Sequence, residues 1–116
     1  MKNPPATLSD LIQAAIRYEN TGNFKGAESA YQAILAQDSR QVDAHLGLGR
    51  VYTQRQLLPE AIQAFKAALK IDPSNYFARA NLGAALRLTG DLPGAIDALR
   101  QAKGLAPAGA GVHILL

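Results

Sequence analysis

A chain of 116 residues has room for one hydrophobic core, so it does not hold both an enzyme domain and a separate binding domain. Apolar residues make up 48% of it and aromatic residues only 6%, which points to an interior of small side chains, and the absence of cysteine excludes disulfides, thiolate metal sites and a cysteine nucleophile. Twelve Lys and Arg against nine Asp and Glu, scattered along the chain, leave a net charge of +3, too mild and too dispersed to imply nucleic acid as a partner.

The opening Met1-Lys2-Asn3-Pro4-Pro5 carries one basic residue and a proline pair where an export signal would have an apolar run. No stretch approaches the roughly 18 apolar residues of a membrane span. Residues 1–7 therefore read as a flexible N-terminal segment, and the chain reads as soluble, unexported and cytoplasmic, without membrane insertion. From residue 8 onward the sequence repeats. Ala27-Glu28-Ser29-Ala30-Tyr31 recurs 34 residues later as Ala61-Ile62-Gln63-Ala64-Phe65, and again as Ala95-Ile96-Asp97-Ala98-Leu99. A period of this length decides architecture before any local pattern does. It divides the chain into units 8–41, 42–75 and 76–109. Within each, apolar residues fall three and four apart in two blocks, so each unit is expected to be a hairpin of two helices.

Unit 1 is the loosest, with Ala14-Ala15, Ile34 and Ser39 at places where the other units differ, but Tyr18, Gly22, Ala27 and Tyr31 keep its register. In unit 2, Pro59 falls in the first turn of the second helix, where a missing N–H breaks no bond, and Pro73 marks the end of that helix. Gln56 stands where units 1 and 3 have the turn glycines Gly22 and Gly90. In unit 3 the first helix is expected from Phe77 to Thr89, capped by Ser74 or Asn75 and stopped at Gly90. Asp91 caps the second helix, Pro93 sits in its first turn, and Pro107 closes it. The apolar tail 110–116 places His113 in register with His45 and Leu116 with Leu48, which reads as a truncated fourth repeat or as a cover for the last hairpin. The chain is then expected to be a piece of a longer protein, or to self-associate through Ile96, Leu99, Leu105 and this tail.

Helices crossing at close range need small side chains at the crossing. Corresponding places hold Ala15, Gly49 and Gly83 on the first helices and Ala27, Ala61 and Ala95 on the second. Larger residues face these hollows: Tyr18, Tyr52 and Leu86 on the first helices, Tyr31, Phe65 and Leu99 on the second. A glycine inside a helix costs about 0.5 to 1 kcal/mol relative to alanine, so two at one register imply a compensating close contact.

Together these residues resemble the tetratricopeptide repeat. Unit 2 carries its pattern as Leu48-Gly49, Tyr52, Ala61, Phe65, Ala68 and Pro73, and unit 3 as Leu82-Gly83, Leu86, Ala95, Leu99, Ala102 and Pro107. The Trp frequent at the fourth place is replaced by Leu11, His45 and Arg79. The resemblance implies an all-α fold, a right-handed superhelix (α-solenoid) of three antiparallel helix-turn-helix repeats, with the first helices lining a concave groove for peptides or protein segments. The groove residues it assigns are Ile12, Ile16, Leu46, Arg50, Phe77, Ala80, Asn81, Ala84 and Arg87. Their apolar surface and isolated cations suit a hydrophobic or acidic partner segment. The alternative is that Ile12, Ile16 and Leu46 fill gaps between units while Arg50, Arg87 and Asn81 are solvated.

Some members of the family clamp a C-terminal carboxylate, but the matching places here hold Ile12, Ile16, Gly47, Phe77 and Asn81, so that clamp is absent. His45 and His113 stand 68 residues apart, two repeat lengths, and are expected to be structural. No nucleophile elbow, phosphate loop or zinc-protease motif occurs, and Gly47-Leu48-Gly49 lies within a helix and lacks a third glycine. The expectation is a non-catalytic interaction module, an adaptor without a cofactor or metal. The competing reading is a scaffold that forms homo-oligomers through the groove and the C-terminal edge. RNA binding ranks lower, for want of a basic stripe and stacking aromatics.

Overall fold

The computed structural model describes residues 7–105. These form six helices: α1 Leu8–Asn20, α2 Phe24–Gln37, α3 Val42–Gln54, α4 Leu58–Ile71, α5 Tyr76–Thr89 and α6 Leu92–Leu105. Residues 110–116, which carry the expected cover or fourth repeat, lie outside the described residues.

Local chemistry sets most of the boundaries. Thr7 and Asp10 form a reciprocal cap at the start of α1, each backbone N–H donating to the other's side chain at 3.1 Å. Asn23 caps α2 by accepting from Gly26 N at 3.0 Å, and Asp91 accepts from Gly94 N at 3.0 Å at the start of α6. Of the two candidates before α5, Asn75 is the cap, accepting from Ala78 N at 2.9 Å, and the helix begins at Tyr76, one residue ahead of the expected Phe77. Gly22 and Gly90 turn the chain with φ of 78° and 91°. Gln56 adopts the same left-handed conformation at φ 62°, so this turn persists without its glycine.

Each helix pairs with its neighbour in a hairpin, α2 also packs on α3, α4 on α5, and α3 touches α5. The hairpins thus stack in a row measuring 55 × 30 × 24 Å. The core follows that stacking and falls into two clusters. One joins Ala15, Ala27, Tyr31 and Ile34 to Ala44, Leu48 and Val51, and the other joins Leu46, Ala61, Phe65 and Ala68 to Ala78, Leu82 and Ala85. Each cluster combines the second helix of one hairpin with the first helix of the next, so a hairpin buries its outer face only by having a neighbour.

The matched small residues Ala15, Gly49, Gly83, Ala27, Ala61 and Ala95 are all buried. A Cβ on Gly49 would lie 2.2 Å from the Phe65 ring, and one on Gly83 would lie 2.8 Å from Leu99 Cγ. Tyr31 behaves differently from Phe65. Its ring passes over Gly47 on the following hairpin, where a Cβ would come within 2.2 Å of it. Tyr18 stays partly exposed and lies over Gly26 instead of entering the core.

Candidate functional site

The first helices α1, α3 and α5 form a trough of three adjoining hollows. Ile12, Ile16, Tyr31, Ile34, Ala44 and Arg50 line one of about 200 Å³. Arg50, Glu19, Thr53, Gln54, Asn81 and Ala84 line the next, of about 370 Å³, and Ala80, Asn81, Ala84, Arg87 and Leu99 line a third of about 100 Å³. Because Arg50 is shared by the first two and Asn81 and Ala84 by the last two, the hollows are continuous across the hairpins. Seven of the nine groove residues expected from sequence therefore lie along one surface.

The other two are placed differently. Leu46 is only 5% exposed and packs in the core with Phe65 and Ala68, so it is an interior residue and not part of the trough lining. Phe77 is 61% exposed, set edge-on to Tyr76 with ring centroids 5.2 Å apart, and lies outside these three hollows. Ile16, half exposed, is the open apolar side chain of the α1 end.

Arg50 is not the isolated cation that sequence suggested. Its Nε donates to Glu19 Oε2 at 2.7 Å and its Nη2 to Glu19 Oε1 at 3.0 Å. Nη2 also donates to the Tyr31 hydroxyl at 3.3 Å, and that hydroxyl donates to Glu19 Oε1 at 2.6 Å. The triad ties α1, α2 and α3 together. Gly47 makes it possible, since any side chain there would push the Tyr31 ring away. Burial favours the neutral form of Glu19, but the hydrogen bonds from Arg50 and Tyr31 outweigh it and hold the carboxyl below its usual value. Burial first, and then the Glu19 carboxylate, push the Tyr31 phenol up to about 12. A second ion pair, Arg55 with Glu28, joins the end of α3 to α2.

Sequence reasoning missed Glu19, Tyr31 and Thr53 as members of this site. A signal for two of them was present: Glu19, Thr53 and Arg87 are spaced by the 34-residue period, three residues beyond Ile16, Arg50 and Ala84, on the same helix face. Tyr31 carried no such signal, because it reads as a core knob.

His45 Nε2 lies 3.0 Å from the Ser39 carbonyl oxygen, and one period on, Arg79 Nε donates to the Pro73 carbonyl at 3.0 Å. The fourth place of the unit thus ties the preceding loop to the helix, a structural role for His45. Beside His45, away from the trough residues, Leu35, Leu48, Tyr52, Pro59 and Gln63 line an open hollow of about 490 Å³. His113 lies outside the described residues.

A row of helical hairpins, nested through small residues and presenting a trough along equivalent helices, defines the chain as a helical-repeat solenoid. The model of the tetratricopeptide repeat family matches residues 12–76, more than half of the chain, and the protein belongs to that family. Among curated relatives, the probable UDP-N-acetylglucosamine–peptide N-acetylglucosaminyltransferase SPINDLY of Hordeum vulgare is 33% identical over 98 residues, covering 80% of this chain and 10% of the relative. The cellulose synthase 2 operon protein C of Komagataeibacter xylinus is 35% identical over 95 residues, covering 82% of this chain and 7% of the relative. The chain thus spans about a tenth or less of the length of these two proteins. Among solved structures, the MamA protein superposes with a TM-score of 0.78 at 30% identity, covering 84% of this chain and 54% of that one. The type III secretion chaperone SycD of Yersinia enterocolitica, in complex with a peptide of the translocator YopD, superposes with a TM-score of 0.86 at 22% identity, covering 91% and 81%. The fold is the right-handed superhelix of this family. Among the described residues no helix is long and apolar enough to cross a membrane.

Proposed function

We propose that the chain is a non-catalytic protein-interaction module, built of repeats 8–41, 42–75 and 76–109, whose trough receives a peptide or protein segment. The observation that carries this reading is the continuity of the trough across three hairpins. Equivalent faces of α1, α3 and α5 supply it, and its lining mixes the exposed Ile16 with Ala80, Ala84 and a few polar groups, the composition of a recognition groove. That SycD is solved with a peptide of another protein supports the same use of the fold here. The much longer relatives support an adaptor role inside a larger protein. Catalysis is disfavoured by the chemistry of the trough: of the two carboxylates that line it, Glu19 is ion-paired and held below the usual range, unsuited to deliver or accept a proton near neutrality, and Asp43 lines a different hollow from Glu19.

The test is a pull-down from native lysate with the chain and with four variants: Ile16→Asp, Ala84→Glu, Arg50→Glu and Phe77→Ala. Specific partners are expected to be lost with Ile16→Asp and Ala84→Glu, which put charge into the apolar part of the trough, weakened with Arg50→Glu, and kept with Phe77→Ala, since Phe77 lies outside the hollows. Retention of the same partners by all four would place binding elsewhere. A second reading, self-association, is favoured by the exposed Leu92 and Ile96 on α6. Light scattering that rises with concentration and falls with Ile96→Glu would support it, and concentration-independent monomers would remove it.

A further inference from the structure

Arg50 stands midway along the trough, shared by the hollow of Ile12 and Ile16 and the hollow of Asn81 and Ala84. A guanidinium binds a carboxylate best through two parallel N–H donors. On Arg50 the Nε and Nη2 pair is already filled by Glu19, at 2.7 and 3.0 Å, and Tyr31 shares Nη2. The pair carries no net charge. An incoming carboxylate would therefore meet the repulsion of Glu19 beside the attraction of Arg50, and most of the Coulomb gain would cancel. A neutral carbonyl oxygen meets no such penalty. Arg50 Nη1 has no acceptor among the described residues, and 44% of the side-chain surface remains open to take one. Thr53, Gln54 and Asn81 continue this uncharged polar surface on the same hollow.

The α5 end is electrostatically different. Arg87 occupies the place equivalent to Glu19, two periods on, and lines the hollow with Ala80 and Ala84. It has no ion-pair partner among the described residues. The exposed cation that can accept a partner's carboxylate is thus at the end of the trough, while the cation at the middle is neutralised from within.

We infer that Glu19 is a specificity-determining residue of the trough. By filling Arg50, it makes the centre accept uncharged carbonyl, amide or hydroxyl groups and leaves a partner's carboxylate to Arg87. The fitting partner is an apolar protein segment, with a large aliphatic side chain for the Ile12 and Ile16 hollow, an uncharged polar residue at its middle and an acidic residue toward α5. This inference rests on the trough being the binding face.

The experiment selects a random peptide display library on the chain and on its Glu19→Gln and Glu19→Ala variants, and measures the enriched peptides as synthetic acid-to-amide pairs. Far-UV circular dichroism checks that every variant remains helical. On the unaltered chain, one acidic position is expected to matter, its amide form binding about tenfold more weakly, and that difference should vanish with Arg87→Gln but survive Arg50→Gln. On both Glu19 variants a second acidic preference should appear, and adding Arg50→Gln should abolish it. If the unaltered chain loses its acidic preference with Arg50→Gln, or if the Glu19 variants select the same peptides as the unaltered chain, the inference is overturned while the trough stands. If the enriched peptides bind equally to Ile16→Asp and Ala84→Glu, or none enrich, the trough reading falls and takes this inference with it.

Discussion

Gln56 is the residue that most openly departs from its own repeat. A left-handed backbone brings Cβ against the carbonyl oxygen and costs an L-residue about 1 kcal/mol or more, which glycine avoids. Gln56 is exposed and loses no packing when removed. Gln56→Gly is therefore expected to stabilise by about 0.5 to 1 kcal/mol after the added freedom of the unfolded chain is subtracted, read as a higher urea midpoint with an unchanged slope. The paired glycines make a second comparison. At Gly49 an added methyl would lie 2.2 Å from the rigid Phe65 ring, whereas at Gly83 it would lie 2.8 Å from Cγ of the more flexible Leu99 side chain and 3.3 Å from the Ala95 carbonyl oxygen. Gly49→Ala should destabilise by about 1 to 3 kcal/mol, and Gly83→Ala by clearly less, since better helix propensity offsets a softer clash. Equal losses in a denaturant series would show that the knob's rigidity is irrelevant. These size-matched sites were legible because a buried crossing demands smallness at the same register in each unit. Gly47 was not, because Gln13 and Asn81 hold its equivalent places and only the lean of Tyr31 gives it a role.

At the scale of the helix, the repeats also differ in how they begin. Asn75 both caps α5 and donates to Asp72 at 3.2 Å. One period earlier, Gln41 donates to Asp38 at 3.0 Å but makes no cap bond, its side chain being one carbon too long to turn back on its own helix. Gln41→Asn copies the working arrangement into α3 and is expected to stabilise by about 0.5 to 1 kcal/mol, measured as a raised thermal midpoint. The helices and the caps of the third unit were readable in advance because capping involves residues within one turn of each other, whereas Thr7, read as part of a flexible segment, and Asn23 were not named as caps. Leu46 was misplaced for the complementary reason. Its spacing puts it on the trough side of α3, but the neighbouring hairpin closes over it and buries it with Phe65.

Across the whole molecule, the Glu19, Arg50 and Tyr31 triad joins the first hairpin to the second. Since Glu19 titrates below its usual value in the folded chain, its contribution is complete above the ordinary carboxylate range and is lost as pH falls through the lowered value. Tyr31 has the opposite sign: its folded value is raised from 10.0 to about 12, so its contribution is present below the former and disappears as pH rises through the latter. Thermal midpoints should fall at both extremes. Glu19→Gln should flatten the acid limb while costing no more than about 1 kcal/mol at neutral pH, because Arg50 is partly solvated. An acid limb unchanged in that variant would mean that other carboxylates govern it.

The hairpins, their number and the small-residue faces by which they nest were legible along the chain. Those depend on side-chain size, turn chemistry and spacing within a unit, and all three are local quantities written along the chain. What the trough presents was set by the way the hairpins stack. Which charged groups meet across adjacent hairpins depends on the offset between stacked helices, and that offset sets Arg50 against Glu19, 31 residues away, while leaving Arg87 open.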